Sequence, residues 1–303
     1  MKLAPFDRAG RFWKGNLHTH TDASDGAQPP EEVCRRYRQA GYDFLALTDH
    51  FLPTYGYPIV DGDPYQDEDF TVLTGAELHA GSTELGQRWH ILAVGLPGNF
   101  TPGDEDETGP ELAARALEAG AFVAAAHPQW YGLGEVDILS LGPVHAVETF
   151  NGTAVDHNDR ADSWHVTDLL LSRGHRYSAC ATDDYHGKPI RNDFARGWVQ
   201  VKSETREPAG LLSALKEGAY YSSTGPELLD LQLTGNLLYI RCSPVERIFV
   251  TGKTSSSQYV SGDGLVETEV DLDGFESPYC RVTVRDASGG RAWSNPIWLG
   301  QNG

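Results

Sequence analysis

Two histidines separated by one residue, His18 and His20, directly follow a predicted strand that runs from Phe12 to Leu17. Side chains two positions apart on a strand point to the same face, so both imidazoles can reach one metal ion. A single pair of this kind is weak evidence, because histidines also occur as hydrogen-bonded core residues. The pair gains weight from the positions of the other histidines and carboxylates.

Further potential ligands follow the ends of other predicted strands, which cover residues 44–47, 71–73, 121–126, 146–149 and 177–181. The polar side chains at or just after these ends are Asp49, His50, Glu77, His127, Glu148, Asn151, Asp183, Asp184 and His186. In parallel α/β folds the carboxyl ends of the strands form the site. Several imidazoles with carboxylates suit zinc, iron or manganese better than calcium or magnesium alone. The pattern therefore predicts a multinuclear metal site.

The elements that must position these residues alternate between short apolar strands and amphipathic helices over the first two thirds of the chain. One helix is predicted to begin at residues 29–32, where prolines and acidic residues suit the first turn, and to end at Gly41. Repeated strand–helix units indicate a parallel sheet covered by helices, and at this length a closed or nearly closed barrel. The long segment from Phe51 to Asp69 has no helical period and is predicted to be a lid or binding loop.

After Gly225 and Pro226 the pattern changes to alternating apolar and polar residues separated by short turns. This alternation predicts an antiparallel β module with one face in solvent. A chain of 303 residues has room for about two domains. We therefore predict an α/β domain over residues 1–226 and a small β module, similar to a sandwich, over residues 227–303.

The chain is acidic, since 24 basic and 43 acidic residues give a net charge of −19. Such a surface repels nucleic acids and anionic lipids, so neither is an expected partner. No apolar run approaches the ~20 residues of a membrane span, and the N-terminal residues include Asp7 and Lys14 but no apolar signal segment. A cytoplasmic protein is expected. The cysteines show no C-x-x-C spacing and are expected to be free buried thiols.

Several of these motifs together resemble those of the PHP (polymerase and histidinol phosphatase) superfamily. The resemblance covers roughly residues 14–226 and rests on His18-Thr19-His20, Asp25, Thr48-Asp49-His50, Gly75-Ala76-Glu77, Ala126-His127-Pro128 and Asp184-Tyr185-His186. It implies a distorted (β/α)7 barrel that holds two or three divalent metal ions (Zn, Mn or Fe). The phrases at residues 223–226 and 294–298 are similar to a subfamily that hydrolyses carbamates and amides and carries a C-terminal β module.

The resemblance also implies a ligand set for three metal ions. The first ion would be held by His18, His20, Glu77 and Asp184, the second by Glu77, His90 and His127, and the third by Asp25, His50 and His186. Asp25 stands where well-studied members have histidine, so the third ion would have a carboxylate among its ligands where those members have an imidazole. His79 competes with His90 for one position. We favour His90, because Trp89-His90-Ile91-Leu92 matches the family phrase better.

The predicted activity is hydrolysis of a small phosphomonoester or phosphodiester by a metal-bridging hydroxide. Glu77, Asp184 and His186 are the predicted catalytic residues. Three divalent ions, three carboxylates and a hydroxide leave a charge of about +2, which suits a phosphate, whereas two ions suit a neutral ester or carbamate. The alternatives are therefore a carbamate, amide or carboxyl ester hydrolase using the same metals, and a non-catalytic scaffold whose β module is the binding surface.

Other residues near these motifs are candidates for substrate contacts. Arg160, Lys188 and Arg191 flank the last motifs and could contact a phosphate, although each alone reads as a surface charge. Trp130 and Tyr131 follow His127-Pro128 and could form a pocket wall or belong to the core.

Overall fold

The computed structural model describes residues 3–300, which contain sixteen strands and seven α-helices. The first ten strands are β1 (Arg11–Asn16), β2 (Phe44–Leu47), β3 (His50–Phe51), β4 (Thr71–Leu78), β5 (Ile91–Val94), β6 (Phe122–Ala125), β7 (Ala146–Asn151), β8 (Ser178–Thr182), β9 (Trp198–Ser203) and β10 (Tyr220–Ser223). The helices are α1 (Pro30–Gln39), α2 (Gly109–Glu118), α3 (Pro128–Tyr131), α4 (Glu135–Ser140), α5 (Gly152–His157), α6 (Trp164–Ser172) and α7 (Pro208–Lys216). Strands and helices thus alternate along much of this part, but within residues 3–300 no α-helix lies between β2 and β5 or between β8 and β9.

The helix ends follow local sequence signals. Helix α1 has proline at its start and Glu31 and Glu32 in its first turn, where the backbone N–H groups favour negative charge. Helix α2 begins with a capping box in which Thr108 and Glu111 each accept a backbone N–H of the other. These caps fix where the helices begin relative to the strands that they cover.

Eight strands form a curled sheet in the order β9-β1-β2-β4-β5-β6-β7-β8. The pairs β1–β2, β2–β4, β6–β7 and β7–β8 are parallel. Strand β5 is antiparallel to both β4 and β6, and β9 is antiparallel to β1. The mixed sheet with its covering helices confirms the predicted α/β fold class, with more antiparallel neighbours than repeated strand–helix units indicate.

The curled sheet encloses its own apolar core. Buried side chains from opposite sides of the curl, among them Phe44, Leu92 and Val199, pack in one cluster. The backbone ladder does not close between β8 and β10. Instead, Ser222 Oγ accepts the backbone N–H of Ala181 (3.0 Å) and donates to the carbonyl of Ala179 (2.9 Å). The barrel implied by the resemblance is therefore seen as a curled sheet whose gap is spanned by a serine side chain.

The segment from Phe51 to Asp69 is more ordered than its sequence indicates. It contains two 3₁₀ turns, Pro53–Tyr55 and Asp63–Tyr65, and it begins in β3. Strand β3 pairs in parallel with β4, in a register that sets His50 opposite Glu77. The start of the predicted loop is thus a strand that brings an imidazole beside a carboxylate.

The remaining strands form the antiparallel β module that the alternation predicts. They are β11 (Leu228–Thr234), β12 (Leu237–Thr251), β13 (Ser257–Asp271), β14 (Tyr279–Arg285), β15 (Arg291–Ser294) and β16 (Ile297–Trp298). The module joins the curled sheet because β15 pairs with β10. Arg281 also forms an ion pair with Asp168 of α6 (2.7 Å). The domain boundary at residue 226 stays a prediction.

Two sequence expectations about the chain as a whole can be compared with the structure. Cys34, Cys180, Cys242 and Cys280 are buried and free, as their spacing indicates. Within residues 3–300, no helix has both the length and the apolar character needed to cross a bilayer.

Candidate metal centre

All nine predicted metal ligands lie together at one edge of the curled sheet. Their donor atoms fall into four overlapping groups, and within each group the atoms lie within 4.8 Å of one another. The groups are His20, Asp25, His50 and His186; His50, Glu77, His79 and His90; His18, His127 and Asp184; and His18, His20 and Glu77. The structure therefore brings together side chains that are up to 168 positions apart in the sequence.

The chain reaches this edge in two ways. Strands β1, β4, β6 and β8 run towards it, so the residues at or after their carboxyl ends point into the site. His90 precedes β5, and β5 runs antiparallel to β4 and β6. The start of β5 therefore lies at the same edge as the ends of its neighbours, which explains how a residue before a strand joins the others.

Glu77 is at the centre of the cluster and its side chain is only 1% exposed. Its Oε1 lies 2.6 Å from His90 Nδ1 and 2.9 Å from His127 Nε2. Its Oε2 lies 2.6 Å from His50 Nδ1. Burial alone would raise the pKa of Glu77, but the surrounding imidazoles hold this pKa well below its ordinary value. The carboxylate is therefore ionised and shared among several imidazoles.

Asp184 forms the opposite wall of the cluster. Its Oδ1 lies 2.9 Å from His20 Nε2 and 3.4 Å from His18 Nε2, and its Oδ2 accepts a hydrogen bond from Asn151 (3.1 Å). Both Asp184 and His127 have positive φ angles, of 52° and 28°, which non-glycine residues rarely adopt. Such strained backbone often occurs at functional sites, and here it turns both side chains into the cluster.

The group around Asp25 is the most exposed part of the cluster. Asp25 Oδ1 lies 3.4 Å from His50 Nε2 and 3.3 Å from His186 Nε2, and the Asp25 side chain is 28% exposed. His186 Nδ1 donates to the carbonyl of Asp184 (2.7 Å), which leaves its Nε2 as the nitrogen with a lone pair. The other carboxylate oxygen of Asp25 pairs with Lys188 Nζ (2.7 Å).

Sequence reasoning left the role of Glu148 open, and the structure gives it one. Its Oε1 lies 2.8 Å from His18 Nδ1, and its Oε2 accepts the backbone N–H of His127 (2.6 Å). A carboxylate in this position fixes the tautomer and orientation of a histidine whose other nitrogen can bind a metal ion. The only signal in the sequence was that Glu148 lies near the end of a strand.

Asp49, another polar residue at a predicted strand end, bonds a backbone turn. Its carboxylate accepts hydrogen bonds from the backbone N–H of Thr21 (2.7 Å) and from the Ser24 hydroxyl (2.6 Å). It therefore holds the turn that carries Asp25. Asp183 has a similar structural role, since it accepts from the Tyr37 hydroxyl (2.6 Å) and from the backbone of residues 195–197.

A small cavity of about 190 Å³ opens beside the cluster. Trp130 and Tyr131 line it, and the Tyr131 ring centroid lies 4.5 Å from that of His90. Burial, with the nearby charges of Glu77 and Asp184, raises the pKa of Tyr131, so its hydroxyl stays protonated. Arg191 lines the same cavity, and its Nη1 has no hydrogen-bond partner among residues 3–300.

The cluster fits divalent metal ions because buried donor atoms face one another without partners. Within residues 3–300, His18 Nε2, Glu77 Oε2 and Asp25 Oδ1 are buried and lack a hydrogen bond. Leaving such atoms unpaired costs free energy, and a divalent cation is the partner that imidazole nitrogens and carboxylate oxygens share. These side chains are therefore able to hold divalent ions.

Comparison with known proteins identifies the fold. No protein-family model and no curated protein matches the sequence. Among solved structures, the chain is similar to a two-domain protein from Bacteroides vulgatus described as containing a predicted PHP-like metal-dependent phosphoesterase, with a TM-score of 0.55 and 14% identity over 98% of this chain and 99% of that chain. The chain has a PHP-like fold. This agrees with the motif resemblance, and the match includes the β module as well as the curled sheet.

Two further solved structures each match a little more than half of the chain. One is a putative metal-dependent phosphoesterase from Bifidobacterium adolescentis, with 16% identity over 58% of this chain and 89% of that chain and a TM-score of 0.43. The other is an amidohydrolase from Chromobacterium violaceum with bound sulfate, with 18% identity over 57% of this chain and 87% of that chain and a TM-score of 0.41.

Proposed function

We propose that the protein is a metal-dependent phosphoesterase that hydrolyses a small phosphomonoester or phosphodiester. The observation that carries this proposal is the convergence of imidazoles on Glu77, with unpaired donor atoms facing one another beneath an open cavity. Such a donor set suits transition-metal ions, and the PHP-like fold places it at the edge where α/β folds form their sites.

The proposed ligands of three ions follow the predicted grouping. They are His18, His20, Glu77 and Asp184 for the first ion, Glu77, His90 and His127 for the second, and Asp25, His50 and His186 for the third. The contacts of Glu77 with His90 and His127, and of Asp25 with His50 and His186, support this division. When bound, zinc, manganese or iron ions would polarise a substrate oxygen and make water a stronger nucleophile at neutral pH. Glu77 would bridge ions, because its two oxygens face different imidazoles.

Arg191 supports a phosphate as the bound group. Of the three cationic candidates, Lys188 is paired with Asp25, and Arg160 donates to the carbonyl of Trp130 (3.3 Å). Among the residues that the structure describes, Arg191 Nη1 has no hydrogen-bond partner, and it lies on the wall of the cavity. A guanidinium in this position can donate to a phosphate oxygen and hold the ester against the cluster.

The charge of the site also depends on how many ions bind. Glu148 adds a fourth carboxylate to Asp25, Glu77 and Asp184, so with the bridging hydroxide three divalent ions leave about +1 and two ions leave about −1. A net positive site attracts a phosphate dianion, although the protein as a whole carries a charge of −19. We therefore infer that the phosphoesterase form binds three ions.

A carbamate, amide or carboxyl ester hydrolase is the second candidate. The observation that favours it is the ion pair between Lys188 and Asp25. Because of this pair, Lys188 is not available to bind a substrate, and one carboxylate oxygen of Asp25, a proposed ligand of the third ion, is already occupied. A protein that retained only the first two ions would offer a nearly neutral site, which suits an uncharged substrate.

One assay distinguishes these candidates. Metal-free protein is reconstituted with Zn²⁺, Mn²⁺ or Fe²⁺, and the turnover of an aryl phosphomonoester, an aryl phosphodiester and an aryl carbamate is compared with bound metal per chain. We expect phosphate ester hydrolysis that rises as the third ion binds. Carbamate turnover at two ions per chain would favour the second candidate. Less than one ion per chain after reconstitution would favour a non-catalytic scaffold.

A further inference from the structure

We propose that His79 is a positioning residue. It accepts a hydrogen bond from the N–H group of His50 and thereby presents the other ring nitrogen of His50 to the third ion. The inference rests on the proposed metal site and assigns a role to a histidine that competes with His90 in the sequence. It also implies that the two histidines have different tasks. His90 binds an ion directly, whereas His79 acts through His50.

The hydrogen bonds of His79 fix which of its nitrogens carries the proton. Its side chain is 1% exposed, and its Nδ1 lies 3.1 Å from the carbonyl oxygen of Trp89. A carbonyl oxygen can only accept, so His79 Nδ1 must donate and its Nε2 must have the lone pair. The Nε2 of His79 is therefore a fixed acceptor.

That acceptor faces His50. His79 Nε2 lies 2.9 Å from His50 Nδ1, a hydrogen-bond distance, so His50 Nδ1 must donate. His50 then keeps its lone pair on Nε2, which points towards Asp25 Oδ1 at 3.4 Å. A chain of two hydrogen bonds, from His50 to His79 and from His79 to the Trp89 carbonyl, thus sets the tautomer in which His50 can bind a cation beside Asp25.

Glu77 does not replace His79 in this role. Its Oε2 lies 2.6 Å from His50 Nδ1 but has no hydrogen-bond partner within the described part of the chain. With His79 as the acceptor, the Glu77 oxygen remains available to an ion. His79 Nε2 itself is 3.7 Å from Glu77 Oε2, whereas His90 Nδ1 approaches Glu77 at 2.6 Å. This difference favours His90 as the direct ligand.

The test compares variants that keep or remove the acceptor. In His79→Gln the amide oxygen can reach the place of Nε2 and accept from His50, whereas His79→Asn can bond the Trp89 carbonyl but is too short for His50. His79→Leu removes both hydrogen bonds. Binding of Zn²⁺ and Mn²⁺ is measured by competition with a chelator and by metal content per chain, and circular dichroism confirms folding. If the leucine variant does not fold, the asparagine and glutamine pair carries the comparison.

We expect His79→Asn and His79→Leu to lower the affinity for the third ion by about 10–100-fold, which is the usual effect of removing the partner of a metal-binding histidine. His79→Gln should bind it nearly as tightly as the wild type. His50→Ala should lose the same ion, and adding His79→Leu to it should cause no further loss, because the two residues act as one unit.

Two results would overturn the inference. Unchanged metal binding in His79→Asn and His79→Leu would show that His50 needs no such partner. Losses that add to those of His50→Ala, and that affect the ion held by Glu77 and His90, would make His79 a direct ligand instead. A wild-type protein that binds no ions would overturn the proposed function as well, and this outcome differs from both.

Discussion

Replacing Glu148 with glutamine changes the support of the cluster without removing any proposed ligand. The carboxylate accepts four hydrogen bonds: from His18 and Thr182 at Oε1, and from His127 and Asn151 at Oε2. A glutamine side chain keeps one acceptor oxygen, and its NH₂ group must face two donors in either orientation. Two buried donors therefore lose their acceptor, and His18 loses a charged partner.

These losses set the expected decrease in the free energy of unfolding and in metal affinity. A buried donor without an acceptor costs about 1–3 kcal/mol, so Glu148→Gln should lower the free energy of unfolding by at least that amount. Loss of the partner of a metal-binding histidine typically weakens metal affinity by about 10–100-fold, or about 1.4–2.7 kcal/mol. We expect the affinity loss to fall on the ion that His18 binds.

The assay is a chelator competition with the wild type, Glu148→Gln and a matched control, with thermal unfolding of each metal-free protein alongside. The control is Thr182→Val, which removes one donor to Glu148 but keeps the charge and the contact with His18. It should bind metal much more tightly than Glu148→Gln. Equal metal affinity for Glu148→Gln and the wild type would refute the reasoning that Glu148 orients His18.

Three further changes test other parts of the site. Glu77→Gln should abolish activity and lose at least one ion, because the proposed site shares this carboxylate between ions; turnover with full metal content would contradict the proposed bridging role. Arg191→Gln should raise KM for a phosphate ester by about 10–100-fold through loss of a charge-assisted hydrogen bond, with Arg160→Gln as the matched control; an equal effect of both would show that Arg191 has no special role. The thermal stabilisation caused by Zn²⁺ should grow with pH. Burial lowers the pKa of His18, but Asp184, Glu148 and Glu77 together raise it well above its ordinary value in the metal-free protein. The stability that protonated His18 contributes is therefore complete below the ordinary imidazole pKa and is lost as pH rises through the raised pKa. Unfolding temperatures with and without Zn²⁺ at several pH values test this, and a gap that narrows with rising pH would contradict it.

The sequence predicted which residues meet, because one rule covers most of them. His18, His20, His127, Asp184 and His186 follow strands that run in the same direction, and parallel strands end at the same edge. Their gathering in the structure agrees with that rule. Whether they bind ions stays a prediction.

The sequence could not show strand direction or register. The run at residues 91–94 is apolar throughout, so nothing in it reveals that β5 is antiparallel to its neighbours and that the residue just before it, His90, therefore lies at the site. The pairing of β3 with β4, which sets His50 beside Glu77, depends on contacts between segments far apart in the chain.

The different roles of Asp49 and Glu148 have a similar cause. Both residues lie at or near strand ends and both carry a carboxylate, so neither position nor residue type distinguishes their roles. Asp49 bonds the turn before Asp25, whereas Glu148 reaches His18 from β7. Local sequence fixes which residues are near a strand end, but the distance between two side chains is set by the packing of the whole sheet.

The most direct test of the central claim is anomalous X-ray diffraction from crystals of the protein reconstituted with Zn²⁺ or Mn²⁺. We predict anomalous peaks beside Glu77, one of them shared with His90 and His127 and another with Asp184. If the protein binds its full complement of metal in solution but its crystals show no anomalous peak next to Glu77, the account is contradicted.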